Sequence, residues 1–162
     1  MTPADAPVRA VGTHGTVRIV GTGLVGTSVG LALRSLGVDV VLHDPSRTVA
    51  HLARDVGAGR LPGADEPEPS LVVVAAPPDV AAEVVLAELA AHPAAVVTDV
   101  SSVKAAILDA VRAGGGDLSR YVGSHPMAGS ERSGPTAARP DLFVGRPWVV
   151  AGTSASSGEA VL

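Results

Sequence analysis

TVRIVGTGLVGTSVGLAL, residues 16–33, changes its pattern twice. Residues 16–20 are a β-branched, apolar run, the signature of a strand buried on both faces. Gly21, Gly23 and Gly26 follow in G-x-G-x-x-G spacing. From Leu24 onward apolar residues recur at helical intervals, and Gly37 supplies a stop. A strand, a glycine turn and a helix therefore follow one another without a break.

The alternation continues outward from this stretch. VDVVLHD (38–44) reads as a second strand ending in Asp44, and PSRTVAHLARDVG (45–57) as a helix with Ser46 or Thr48 near its start. Residues 57–70 are rich in Pro, Gly and acids, and contain no clear third strand. LVVVAAP (71–77), AAVVTD (94–99), YVGSH (121–125) and PWVVAG (147–152) read as strands. PDVAAEVVLAELAAH (78–92) and SSVKAAILDAVRAGGG (101–116) read as helices. The expected fold class is α/β: a Rossmann-like, doubly wound, mostly parallel sheet with helices on both faces. Residues 1–15 are expected to be a flexible leader and 16–152 the ordered domain. Over 153–162, Ser156 and Glu159 form a capping box that announces a linker or helix.

Composition limits the partners. A chain of 162 residues, 46% hydrophobic and 17% charged, is long and apolar enough for one domain with its own core. Aromatics are only 2%, so Val, Leu, Ile and Ala must build that core, and little surface is left for stacking bases. The net charge of -4, without a basic run, argues against nucleic acid and anionic membrane as partners. With no cysteine there is neither disulfide nor thiolate metal site; no metal site is expected, and a reducing, cytoplasmic location suits the chain. The first residues lack the apolar core of a signal peptide, and no apolar run approaches the roughly 20 residues that span a bilayer.

The glycine spacing gains meaning from its place between a strand and a helix. Gly21 permits a tight turn, Gly23 lets backbone approach a pyrophosphate, and Gly26 lets helix and strand pack closely. The helix N-terminus adds positive potential. Asp44, 18 residues after Gly26, can accept hydrogen bonds from the adenine-side ribose. Its carboxylate would repel a 2′-phosphate, so NAD is expected over NADP. Arg47 is near enough to accommodate NADP, although a solvated residue in a first helical turn is the plainer reading. Leu24, Val25, Ala76 and Ser101 complete the expected cofactor-binding set.

A second group falls at the C-terminal ends of strands, where open α/β sheets bind ligands. Asp99 ends one strand; Ser101 and Ser102 open the next helix, with Ser101 as its N-cap. His125 ends the following strand inside GSHPMAGSERSG (123–134), an irregular segment of the kind that carries function on a rigid scaffold. Ser102 and His125 are placed to flank the nicotinamide end of a bound dinucleotide. Glu131 either points into that cleft or forms a solvated pair with Arg132. His14, His43, His51 and His92 are assigned no role. A serine hydrolase would need a G-x-S-x-G elbow, which is absent.

GTGLVGTSVGLAL (21–33), TDVSSVK (98–104), GSHPMAGSERSGP (123–135) and LFVGRPWVV (142–150) together resemble the prephenate dehydrogenase family and its arogenate-using relatives. HPMAG followed by SERSG is the specific part, and the resemblance runs over about residues 17–150. It implies NAD-dependent oxidative decarboxylation of prephenate to 4-hydroxyphenylpyruvate in tyrosine biosynthesis, or the equivalent step on arogenate. Hydride leaves the hydroxyl-bearing ring carbon, a base takes the hydroxyl proton, and loss of carbon dioxide makes the ring aromatic. The resemblance makes His125 the base, a role that an imidazole with an ordinary pKa of about 6.5 suits. It makes Ser102 a hydrogen-bond partner of the same hydroxyl and places Glu131 near the site. It also implies a further, helical domain that builds a homodimer and supplies positive side chains to the substrate carboxylates. Within this chain only Lys104 and Arg132 are nearby candidates for that charge, so the chain alone is expected to bind dinucleotide without turning over. Two other readings stay open: a dinucleotide-binding module without catalysis, and a β-hydroxyacid dehydrogenase, which would need a catalytic Lys on a later helix.

Overall fold

Alternation along the central strands assigns their neighbours. In the computed structural model, which describes residues 15–161, strand β1 (Val17–Val20) turns Val17 and Ile19 to one face and Val20 to the other. Helices α1 (Leu24–Ser35) and α2 (Arg47–Asp55) cover the first face with Val29 and Ala53. Helices α3 (Pro78–Ala91) and α4 (Ala105–Ala113) cover the second with Val85, Leu89, Ile107 and Val111. Strands β2 (Val40–His43), β3 (Leu71–Val74), β4 (Val96–Asp99), β5 (Tyr121–Pro126) and β6 (Trp148–Ala151) complete one six-stranded sheet in the order β2-β1-β3-β4-β5-β6. All pairings are parallel except β5 with β6. This is the expected doubly wound, Rossmann-like fold. The leader expected over 1–15 lies outside the described residues, apart from Gly15.

The missing third strand is reduced to one residue. The Arg60 N–H donates to the Val40 carbonyl at 2.9 Å, and its own carbonyl accepts the Leu42 N–H at 2.8 Å. A Cβ on Gly59 would stand 2.7 Å from the Val40 carbonyl, so the approach needs glycine. Pro62, Pro67 and Pro69 cannot donate to a longer ladder. The Arg60 side chain fastens the bridge through two bonds to Asp39, at 3.0 and 2.9 Å, and an ion pair with Glu66 at 2.6 Å.

Two helix starts differ from expectation. Helix α4 begins at Ala105, and Ser101 is not its N-cap. The Asp99 carboxylate takes the Ser101 N–H at 3.0 Å and binds the Lys104 ammonium, which turns the backbone before the helix opens. At the far end, Ser157 rather than Ser156 caps helix α5 (Gly158–Val161), accepting the Ala160 N–H at 3.2 Å. The Ser156 hydroxyl is already engaged by the Thr153 N–H at 2.9 Å.

Candidate active site

From β1 the chain passes to β2 on one side of the sheet and later to β3 on the other. That reversal opens a crevice at the C-terminal ends of β1 and β3. The three glycines divide the work there. Gly21 has φ +96, donates its N–H to the His43 carbonyl at 2.8 Å, and would drive a Cβ to 2.5 Å from the Ala75 carbonyl. A Cβ on Gly26 would lie 1.9 Å from the Gly21 carbonyl, so the helix packs directly on the turn. Gly23 has φ -71, and a Cβ there would meet nothing within 4 Å. Its missing side chain leaves open space before the first turn of α1, where Leu24 and Val25 present free N–H groups. A pyrophosphate fits that cradle.

Asp44 follows β2, half-buried. One carboxylate oxygen accepts the Thr22 N–H at 2.8 Å and the Thr22 hydroxyl at 3.1 Å; the other accepts the Ser46 N–H at 2.8 Å. Arg47 is exposed at the start of α2 and makes no ion pair among the described residues. Ala76 is half-buried just past β3.

The second group stands on adjacent strands. β4 and β5 pair with Asp99 opposite Gly123, so the segment after β4, with Ser101 and Ser102, begins beside the part of β5 that leads to His125. β5 runs on through Pro126, with His125 opposite Val149 of β6. Among the described residues the Ser101 hydroxyl is buried without a hydrogen-bond partner, as is Nδ1 of His125. Buried polar atoms normally pair with protein, ordered water or a ligand, so both are open to such a partner. Ser102 is exposed at the same edge. Glu131 is exposed in the loop beyond β5, with no hydrogen bond among the described residues.

Four residues that spacing did not single out, Thr22, Asp99, Tyr121 and Ser124, hold these groups in place. Asp99 is fully buried. Its carboxylate accepts the Tyr121 hydroxyl at 2.7 Å, the Ser101 N–H and the Lys104 ammonium, and its carbonyl accepts the Ser124 hydroxyl at 3.0 Å. Lys104 is therefore engaged internally and is not a free charge for a substrate carboxylate. Burial lowers its pKa, against the opposing pull of Asp99. Burial, reinforced by the same carboxylate, pushes the Tyr121 phenol well above its usual range. The only sequence signal was an acid closing an apolar strand, five residues before a lysine.

Beyond His125 the chain crosses back over α1. The Arg139 N–H donates to the buried Ser28 hydroxyl at 3.1 Å, and Phe143 packs on Trp148 with ring centroids 5.0 Å apart. The family model for the prephenate dehydrogenase nucleotide-binding domain matches residues 29–162. The chain belongs to the prephenate dehydrogenase family. It is 45% identical over 137 residues to "Probable prephenate dehydrogenase NovF" of Streptomyces niveus, covering 83% of this chain and 37% of that protein. Among solved structures, Aquifex aeolicus prephenate dehydrogenase in complex with hydroxyphenyl propionate and NAD+ matches with TM-score 0.78 and 26% identity, over 90% of this chain and 53% of that one. Synechocystis arogenate dehydrogenase also matches with TM-score 0.78 and 26% identity, over 89% of this chain and 52% of that one. The chain thus spans 37% of the Streptomyces relative and about half of the two solved chains. Among the described residues no helix is long and apolar enough to cross a membrane.

Proposed function

We propose that this chain is the cofactor-binding half of an NAD-dependent dehydrogenase that converts prephenate to 4-hydroxyphenylpyruvate, a step of tyrosine biosynthesis in the cytoplasm. The observation that supports the reading is the pairing of β4 and β5 with Asp99 opposite Gly123: Ser102 follows β4 and His125 lies in β5, toward the end of the sheet where the glycine turn follows β1. Gly21, Gly23 and Gly26 with the first turn of α1 would hold the pyrophosphate, and Asp44 the adenine-side ribose. Ser101 offers its unpaired hydroxyl at the nicotinamide end. When bound, NAD accepts the hydride from the hydroxyl-bearing ring carbon. His125 takes the hydroxyl proton, while Ser102 hydrogen-bonds that hydroxyl and fixes its direction. Cleavage of the bond to the ring carboxylate then releases carbon dioxide. Holding the ring and excluding water require a second wall, so the helical domain of the family, with its positive side chains and dimer contact, belongs to this reading.

The test is NADH formation by the full-length protein with prephenate and with arogenate. Turnover of prephenate in the full-length protein, with NAD binding but no turnover by residues 1–162 alone, is the expected result. Arogenate as the preferred substrate is the second reading, supported by the equal fold match to the Synechocystis enzyme. A full-length protein that turns over neither compound leaves a dinucleotide-binding module.

A further inference from the structure

Asp99 sits where three segments of the candidate site meet. Through the Ser101 N–H and the Lys104 ammonium it closes the loop of residues 100–104, which carries Ser102. Through Tyr121 it grips the start of β5, and through its carbonyl it grips Ser124, the residue before His125. Ser124 is itself tied to β4 by the Thr98 hydroxyl at 3.1 Å. Gly123 of β5 lies against this contact: a Cβ there would lie 3.2 Å from Lys104 Cδ and 3.4 Å from the Asp99 carboxylate, a crowding that a small shift of the lysine relieves. A buried carboxylate is costly unless it is paired and fully hydrogen-bonded, and a network this complete holds its partners in one geometry. Ser102 itself is exposed and has no hydrogen bond of its own among the described residues. Its position depends on the loop.

We propose that Asp99 is a positioning residue: by locking the loop of residues 100–104 to Tyr121 and Ser124 of β5, it sets Ser102 against His125. This rests on the assignment of Ser102 and His125 made above. Asp99 touches neither substrate nor cofactor and acts through Ser102. Small displacements of a positioned group are expensive in rate, on the order of 10²-fold for about 1 Å.

The test is a double-mutant cycle in the full-length protein with prephenate, using Asp99→Asn, Ser102→Ala and both together. Asp99→Asn should lower kcat by roughly 10-fold or more and leave the NAD Kd within about 2-fold. In the Ser102→Ala background the same substitution should lower kcat by less than about 2-fold, because nothing remains to be positioned. Losses that multiply, or full turnover by Asp99→Asn alone, overturn the proposal. If Asp99→Asn does not fold, Tyr121→Phe removes the 2.7 Å bond to the Asp99 carboxylate without removing a charge, and the same pattern is required of it. A second readout needs no activity. Hydrogen exchange at the Ser101 amide should accelerate at least about 10-fold in Asp99→Asn while β1 and β3 keep their protection; unchanged exchange at Ser101 counts against the lock. His125→Asn and Ser102→Ala separate the two levels. Full turnover in both removes the functional reading and this proposal with it; loss in both beside an active Asp99→Asn removes this proposal alone.

Discussion

Thr22 donates both its backbone N–H and its hydroxyl to a single oxygen of Asp44, at 2.8 and 3.1 Å. The middle residue of the glycine turn thereby fixes the rotamer of the acid that follows the next strand. Asp44 held in this way resists swinging aside for a 2′-phosphate, and Arg47 makes no ion pair among the described residues.

The chain should therefore bind NAD at least about 10-fold more tightly than NADP, since a like charge at that point opposes the phosphate. Asp44→Ser should narrow the gap, and Thr22→Val should weaken NAD by a few-fold by freeing the carboxylate. Calorimetric titration of both nucleotides checks this. Equal or tighter NADP binding would make Arg47 the ribose-phosphate ligand.

His125→Asn in the full-length protein should lower kcat by roughly 10²-fold or more, the usual size of a lost general base. The NAD Kd should barely change, because the glycine crevice and Asp44 lie at other strand ends. Steady-state kinetics beside a binding titration separate the two. Near-normal turnover would assign the proton to another group.

What could be read in advance was what is local. Gly21, Gly23 and Gly26 lie within six residues, and their spacing between a strand and a helix was enough to expect the tight turn at Gly21 and the close packing at Gly26. The position of Asp44 just past β2 was legible because the apolar run that it closes is itself local. Asp99 was not, because its decisive partner Tyr121 lies 22 residues away and hydrogen-bonding direction leaves no periodicity. The same buried acid misled the reading of Ser101: serine's preference for a helix start lost to the stronger acceptor beside it. The Arg60 bridge escaped because one residue has no pattern to detect.

Acid should loosen that bridge. Arg60 holds the Asp39 carboxyl below its ordinary range, and Arg60 with the Gly63 N–H does the same for Glu66. The unfolded chain therefore takes up these protons first as pH falls. The stabilisation is present above about pH 4 and is lost as pH drops through the depressed folded values. Asp39 and Arg60 are about two-fifths exposed, at 43% and 42%, so water and salt screen the pair and the effect is small. Thermal melts from neutral pH downward should fall more gently for Asp39→Asn than for the parent chain. Parallel curves would show that the pair adds nothing beyond the backbone bridge.

The second and third glycines of the motif should fail in opposite ways. Gly26→Ala places a Cβ 1.9 Å from the Gly21 carbonyl, an overlap that only moving α1 off the sheet relieves. The turn is rigid backbone and Gly26 is buried, so the cost should be of the overpacking kind, about 1–3 kcal/mol or more. Gly23→Ala has no such conflict: its φ of -71 suits any residue, and its Cβ meets no protein atom within 4 Å. Stability should be unchanged there, within about 0.5 kcal/mol. The same methyl, however, would stand in the space assigned to the pyrophosphate. NAD affinity should fall at least about 10-fold in Gly23→Ala while its melting curve overlays the parent. Gly26→Ala should show a lowered Tm. Melting curves and NAD titrations on both variants decide it. Normal NAD binding by Gly23→Ala would mean that the open space before α1 is not where the dinucleotide sits.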